Sequence, residues 1–156
     1  GKYQIIHAYG QYGTWFPDLL REKGTDPDKC GNLDIREYID DMPACLAASD
    51  LVIARAGAIT LSEIQAQGKP AVLIPSPNVA ENHQYHNAMA MVEAGAAVLI
   101  EEKDLTGQAV TETVDRLAGD ETALLRYSEN AKKLAITDAN ERIYSVIKKV
   151  LGGHMN

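Results

Sequence analysis

The stretch ARAGAITLSE, from Ala54 to Glu63, sets small residues ahead of a threonine, a serine and a glutamate. It follows the apolar run LVI, so it reads as a turn from a strand into a helix. The first amides of a helix have no partners inside it. Gly57 and Ala58 leave that backbone open to close approach. A phosphate placed there meets free N–H groups and the positive end of the helix dipole. The dipole contributes about 0.3–1 kcal/mol when exposed and about 2 kcal/mol when partly buried. Thr60 adds a hydroxyl donor. Glu63 repels phosphate but can accept hydrogen bonds from the vicinal hydroxyls of a sugar. A purely structural alternative stands beside this: Thr60 and Glu63 have the spacing of a capping box, and Gly57 permits a tight turn. The glycine patterns GxGxxG and GKT of the dinucleotide and P-loop folds are absent.

A second polar cluster is NVAENHQYHNA, where Asn82, His83, Gln84, His86 and Asn87 crowd one predicted helix start. Amides and imidazoles both donate and accept, which suits them to sugar hydroxyls. His83 and His86 stand three apart, so a metal pair is conceivable, but no acidic cluster accompanies them. The bland alternative is a polar helix start capped by Asn82. The third stretch is EYIDDMP. Asp40 and Asp41 are either two reactive carboxylates or cap and dipole partners of a short helix. The backbone of Ile39 would matter only to a planar base.

Periodicity and breakers give the elements around these residues. Strands are predicted in KYQIIHAYG, LDIREYI, LVIA, PAVLIP and AAVLI, with LVIA and PAVLIP buried on both faces. Helices are predicted in TWFPDLLREKG, closed by Gly24, and in DDMPACLAASD. Two more lie in AITLSEIQAQG, with Gly68 as its C-cap, and HQYHNAMAMVEAG, ending at Gly95. Three amphipathic helices come next, capped by Asp104, Asp120 and Asp138. Asp138 and Glu141 have capping-box spacing. Ile143, Val146, Ile147 and Val150 form one stripe on the last helix. Strands alternating with helices imply an α/β fold, a doubly wound parallel sheet of about five strands with C-terminal helices. In such sheets ligands sit beyond the C-terminal strand ends, where ARAGAITLSE lies.

The chain has 156 residues, enough for one domain with a core, and ordinary globular composition at 46% hydrophobic and 24% charged. Its net charge of -7 argues against a nucleic-acid partner. No apolar run approaches a transmembrane helix, and no signal peptide opens the chain. Cys30 and Cys45 lack metal-ligand spacing and read as thiols in a reducing compartment.

YIDDMP, ARAGAITLSEI with GKPAVLIPSP, and ENHQYHNA together resemble, in order and spacing, the MurG family of UDP-N-acetylglucosamine transferases. The likeness runs from about Tyr3 to about Val150 and is to the donor-binding C-terminal domain. It implies a Rossmann-like half of a GT-B glycosyltransferase over 1–151; the tail over 152–156 lacks periodicity and reads as frayed. It further implies a binding set of Ile39, Met42, Gly57, Ala58, Ile59, Thr60, Leu61, Ser62, Glu63, His83 and Gln84. In that set the backbone of Ile39 meets uracil and Met42 packs near the nucleoside. Ala58, Ile59 and Thr60 hold the diphosphate and sugar region, and Glu63 binds the ribose diol. Gln84, with His83, reads the N-acetylglucosamine hydroxyls. Where the family often has two consecutive glutamines, His83 replaces the first.

The activity implied is inverting transfer of N-acetylglucosamine from UDP-N-acetylglucosamine to a lipid-linked muramyl acceptor in peptidoglycan synthesis, serving cell-wall biogenesis, cell shape and cell division. The parent protein would act peripherally at the cytoplasmic side of the bacterial membrane. No metal or cofactor is implied. A related UDP-sugar transferase with another lipid acceptor, and a non-catalytic Rossmann-like scaffold, are the alternatives. The acceptor site and general base of the family belong to its N-terminal domain, so the fragment is expected to be soluble and inactive alone, with a possible homo-oligomer. The family's first strand of this domain, central in the order 3-2-1-4-5-6, has no counterpart before Lys2. Closure of the sheet is then expected, pairing the strand at Tyr3–Ala8 with that at Leu51–Ala54 and setting the Gly57 turn beside the Gly10 turn.

Overall fold

The computed structural model describes residues 2–152. The chain divides into two compact units, Gly1–Ala48 and Ser49–Asn156.

In the first unit, β1 (Ile5–Ala8) pairs in parallel with β2 (Leu33–Arg36), with Ile5 opposite Leu33 and Ala8 opposite Arg36. A parallel pair needs a crossover, and α1 (Phe16–Glu22) supplies it. Pro17 stands in the first turn of α1, where its missing N–H costs nothing. Gly24 comes after the helix with φ +86°. The short helix α2 (Met42–Ala48) closes the unit and buries Leu46.

The second unit carries the larger core. Strands β3 (Val52–Ala54), β4 (Ala71–Leu73) and β5 (Ala97–Leu99) form a parallel sheet in that order. The crossovers are α3 (Ala58–Gln67) and α4 (His83–Glu93). After β5 come α5 (Gly107–Ala118), α6 (Glu121–Leu134) and α7 (Ala139–Gly152).

Side-chain alternation splits β4 between two layers. Ala71 and Leu73 join Leu61, Ile64, Ala88, Met91 and Ala131 on one face. Val72 joins Ile100 and Leu117 on the other. All three β4 residues are buried, as expected of a central parallel strand. β3 differs from its expectation: Ile53 is 47% exposed. As an edge strand of its sheet it has a neighbour on one side only.

The expected closure does not occur. Among the described residues β1 pairs with β2 alone and β3 with β4 alone.

The helix caps agree with composition at Gly68 and Asp120 and depart from it at Asp104 and Asp138. Gly68 closes α3 in the left-handed region, φ +62°, and Asp120 caps α6 by accepting from the Ala123 amide at 2.9 Å. For α5 the cap is Thr106, which accepts from the Ala109 amide at 3.0 Å; Asp104 instead ends the 3-10 turn Glu102–Asp104. Asp138 sends its carboxylate to Arg142, at 2.8 Å, rather than into a capping box with Glu141. Cys30 and Cys45 are free thiols. Gly152 ends α7, and the remainder of the predicted tail, 153–156, lies outside the described residues.

Candidate functional site

The chain leaves β3 at Ala54 and reaches α3 three residues later. Gly57 is the N-cap, with extended backbone at φ −70°, ψ 143°, and no side chain closes the cap. The first helical bond runs from the Leu61 amide to the Gly57 carbonyl, 2.9 Å. The amides of Ala58, Ile59 and Thr60 therefore have no hydrogen-bond partner among the described residues. Three unpaired donors and the dipole of a ten-residue helix point out of this mouth.

This start excludes the capping-box alternative. Thr60 is the third residue of the helix, not its cap, so Glu63 cannot reach back to a capping backbone. Thr60 and Glu63 stand three apart on one face. Neither side chain has a polar partner among the described residues, and Glu63 is exposed. Ile59 is 78% exposed. The Ser62 hydroxyl donates to the Ala58 carbonyl at 2.9 Å. Leu61 is buried in the core, and its amide fixes the turn.

The head of α4 is built differently. A 3-10 turn, Ala80–Asn82, leads into it. Glu81 and Asn82 are both left-handed, at φ 53° and 52°. Asn82 occupies the N-cap but its side chain caps nothing, contrary to the bland expectation. The carboxamide oxygen of Gln84 accepts from the Ser76 amide at 2.9 Å, which leaves its NH2 as the available arm. One turn on, Asn87 Nδ2 donates to the Ala56 carbonyl at 3.2 Å. That bond ties the head of α4 to the residue before Gly57. His83 and His86 are exposed, and no three His, Cys, Asp or Glu side chains gather as a metal site among the described residues.

Arg55, between β3 and the mouth, is committed elsewhere. Its guanidinium bonds the Ile74 carbonyl at 3.2 Å and Glu102 at 2.6 Å. Ser76 and Arg55 are the positioning residues that sequence reading did not single out, whereas Asn87 stood in the polar cluster at the predicted helix start. Only Asn87 carried a signal, its spacing of three from Gln84 on a helix.

In the first unit, Ile39 lies between β2 and α2, half-buried. Among the described residues its N–H and C=O have no hydrogen-bond partner. Met42, also half-buried, opens α2. The segment is pinned by Arg36, which holds Asp34 at 2.7 Å and Asp41 at 2.8 Å. The Cys45 thiol donates to Asp41 at 3.4 Å. Cys45 and Arg36 hold the Asp41 carboxyl below the usual carboxylate range. Burial and the same carboxylate push the Cys45 thiol up. Asp41 thus serves as an ion-pair anchor. An open recess of about 520 Å³ beside Arg21, Asp28 and Asp34 is lined by none of the predicted site residues.

The sequence pattern of the glycosyltransferase family 28 C-terminal domain matches residues 1–143. The chain belongs to that family. Two curated relatives are both named UDP-N-acetylglucosamine--N-acetylmuramyl-(pentapeptide) pyrophosphoryl-undecaprenol N-acetylglucosamine transferase. The one from Acetivibrio thermocellus is 48% identical over 149 residues, 96% of this chain and 39% of its own length. The one from Desulforamulus reducens is 38% identical over 151 residues, 96% of this chain and 41% of its own length. The crystal structure of MurG from Acinetobacter baumannii is similar with TM-score 0.77 and 27% identity, over 93% of this chain and 41% of that one. This family 28 domain therefore spans about two-fifths of the relatives it matches, and no helix among its described residues is long and apolar enough to cross a membrane.

Proposed function

We propose that the chain is the donor-nucleotide domain of an inverting hexosyltransferase. The full protein moves N-acetylglucosamine from UDP-N-acetylglucosamine to a lipid-linked muramyl acceptor in peptidoglycan synthesis. The observation that carries the reading is the mouth of α3, where three amides, a hydroxyl and a carboxylate have no partner among the described residues. Membership of the family and the names of its relatives point the same way.

Each ligand part then has a chemically suited receiver. The diphosphate takes the amides of Ala58, Ile59 and Thr60. The ribose diol donates to Glu63, which no ion pair or hydrogen bond occupies among the described residues. The uracil edge pairs with the N–H and C=O of Ile39, which have no partner among the described residues, and Met42 packs near the nucleoside. The NH2 of Gln84, with His83, meets the sugar hydroxyls. An acceptor hydroxyl attacks the anomeric carbon, the bond to the diphosphate breaks, and UDP leaves. Negative charge grows on the diphosphate as that bond stretches. Fixed amides aimed at it stabilise the transition state without reorganising.

The acceptor site and the general base are assigned to the part of the longer relatives that this chain does not span. That part also carries contact with the cytoplasmic face of the membrane. The domain alone is expected to bind donor and to transfer nothing.

Isothermal titration of the chain with UDP, UDP-N-acetylglucosamine and UDP-glucose tests the reading. Binding of UDP and tighter binding of UDP-N-acetylglucosamine than UDP-glucose support it. Absence of UDP binding at millimolar concentration contradicts it.

A further inference from the structure

Strand β2 ends at Arg36 and α2 begins at Met42, so Ile39 lies at the centre of the loop 37–41. The backbone is tied at both ends of that loop and nowhere inside it. At its start the Arg36 and Glu37 carbonyls accept from the Tyr9 and Gly10 amides, at 3.0 and 2.9 Å. At its end the Asp41 carbonyl accepts from the Ala44 and Cys45 amides, at 2.9 and 3.1 Å. Tyr38, Ile39 and Asp40 make no hydrogen bond among the described residues.

Arg36 bridges the two ends. Asp34 lies on the same face of β2 and takes its Nε at 3.1 Å and its Nη2 at 2.7 Å. That two-point grip fixes the plane of the guanidinium. It leaves Nη1 aimed at Asp41, whose carboxylate it reaches at 2.8 Å. The Cys45 thiol donates to the same carboxylate oxygen from one turn further on, at 3.4 Å.

We propose that Arg36 is a positioning residue: by holding Asp41 it closes the loop and fixes the Ile39 N–H and C=O in the register that meets uracil rather than cytosine. The proposal rests on the donor reading and goes beyond it, because it names what selects the base. Uracil presents a ring N–H flanked by two carbonyl oxygens. A backbone N–H and C=O side by side pair with that N–H and one of the oxygens. Cytosine has a bare ring nitrogen in the same place and a donor amino group next to it. It pairs with the same two backbone groups only after sliding along them. A fixed edge admits one register; a loose edge admits both. The ion pair itself stabilises the fold little, since the Arg36 and Asp41 side chains are 35% and 57% exposed. Its effect lies in the loop it closes. An unbridged loop holds the competent arrangement only part of the time, and apparent affinity falls by that fraction.

The test uses Arg36→Ala, Asp41→Ala and the double variant of the 156-residue chain. Amide relaxation by NMR without ligand reads the order of the loop, and isothermal titration with UDP and CDP reads the base. In the unsubstituted chain Ile39 should be as ordered as Ile35 in β2, and UDP should bind more tightly than CDP. Either single variant should loosen Ile39 while Ile35 stays ordered. UDP affinity should fall about tenfold, the mark of a competent population near a tenth. CDP should weaken less, so the preference for UDP narrows. The double variant should lose no more than either single one, because all three break the same contact. Thermal midpoints should move by no more than about 4 °C. Equal weakening of UDP and CDP, which a merely structural role would give, overturns the proposal. So do an Ile39 that stays ordered in the folded variants, additive losses in the double variant, and equal affinities of the unsubstituted chain for the two nucleotides. If Arg36→Ala does not fold, Asp41→Ala breaks the same contact and leaves the pair of Arg36 with Asp34 in place. If the unsubstituted chain binds neither nucleotide, the donor reading fails separately, and the order of Ile39 still decides whether Arg36 closes the loop.

Discussion

Gly57 stands at φ −70°, where any residue can stand, and a Cβ added there would meet only the Thr60 hydroxyl, at 3.9 Å. The fold therefore does not require glycine at this position; the open mouth does. Gly57→Ala should leave the thermal midpoint unchanged or raise it, since alanine in an unstrained site contributes about 0.4–1 kcal/mol. The same methyl would crowd the amides and weaken UDP binding, which titration reads directly. Glu63→Gln should weaken UDP as well as UDP-N-acetylglucosamine, because both carry the ribose; equal affinities for the unsubstituted and substituted chains would return Glu63 to the solvated surface. Gln84→Glu separates the two arms of the side chain. A carboxylate can still accept from the Ser76 amide but cannot donate to a sugar, so preference for the sugar nucleotide should vanish while UDP binding persists. The acid limb of stability belongs to this scale too. Arg36 lowers the Asp34 carboxyl, and Cys45 with Arg36 lowers that of Asp41. A carboxyl depressed in the folded state stabilises above its unfolded value and loses that contribution as pH falls through the folded one. Urea midpoints of Arg36→Gln should therefore fall less steeply below about pH 4 than those of the unsubstituted chain.

At the scale of elements, most of what the sequence announced is local. Gly68 and Asp120 act as caps because cap chemistry depends on neighbours within four residues. The run AVL in β4 is buried on both faces as its composition requires. The start of α3 was not decidable from the string: Gly57 and Thr60 are both acceptable N-caps, and the Leu61 amide chose Gly57. Asn87 and Ala56 are 31 positions apart, and no pattern in a single sequence pairs them. The backbone at Glu81 was likewise hidden. A non-glycine residue in the left-handed region costs about 1–2 kcal/mol, and Glu81 at φ 53° has no glycine's freedom. Glu81→Gly should raise stability by about 0.5 kcal/mol after glycine's own entropic cost. A lower urea midpoint would mean that the Glu81 side chain holds the α4 head in some other way.

On the scale of the whole chain, the alternation of strands and helices made the α/β class legible, whereas the pairing of edges was not. Pairing depends on the backbone beside a strand in space, and the string records only its neighbours along the chain. The apolar side chains of Ile5, Ile6 and Ile53 remain 42–47% exposed on strands with one neighbour each among the described residues. α7 makes a parallel case. Its stripe was predicted, yet no residue of α7 is buried and Ile143, Val146, Ile147 and Val150 are 47–60% exposed. A helix that buries nothing adds little to the fold. Ending the chain after Asp138 should shift the thermal midpoint by no more than about 2 °C, and should reduce binding of a hydrophobic dye. A loss of cooperative unfolding would show that α7 belongs to the core.

The central claim is that the mouth of α3 receives the diphosphate of a UDP-sugar while the head of α4 reads the sugar. Amide and side-chain NMR shifts of the labelled chain, recorded first with UDP and then with UDP-N-acetylglucosamine, test it most directly. UDP should move the amides of Ala58, Ile59 and Thr60 together with that of Ile39, and only the sugar nucleotide should move the Gln84 side-chain NH2. Shifts confined to the recess beside Arg21 and Asp28, or saturable binding that leaves the α3 amides in place, would contradict it.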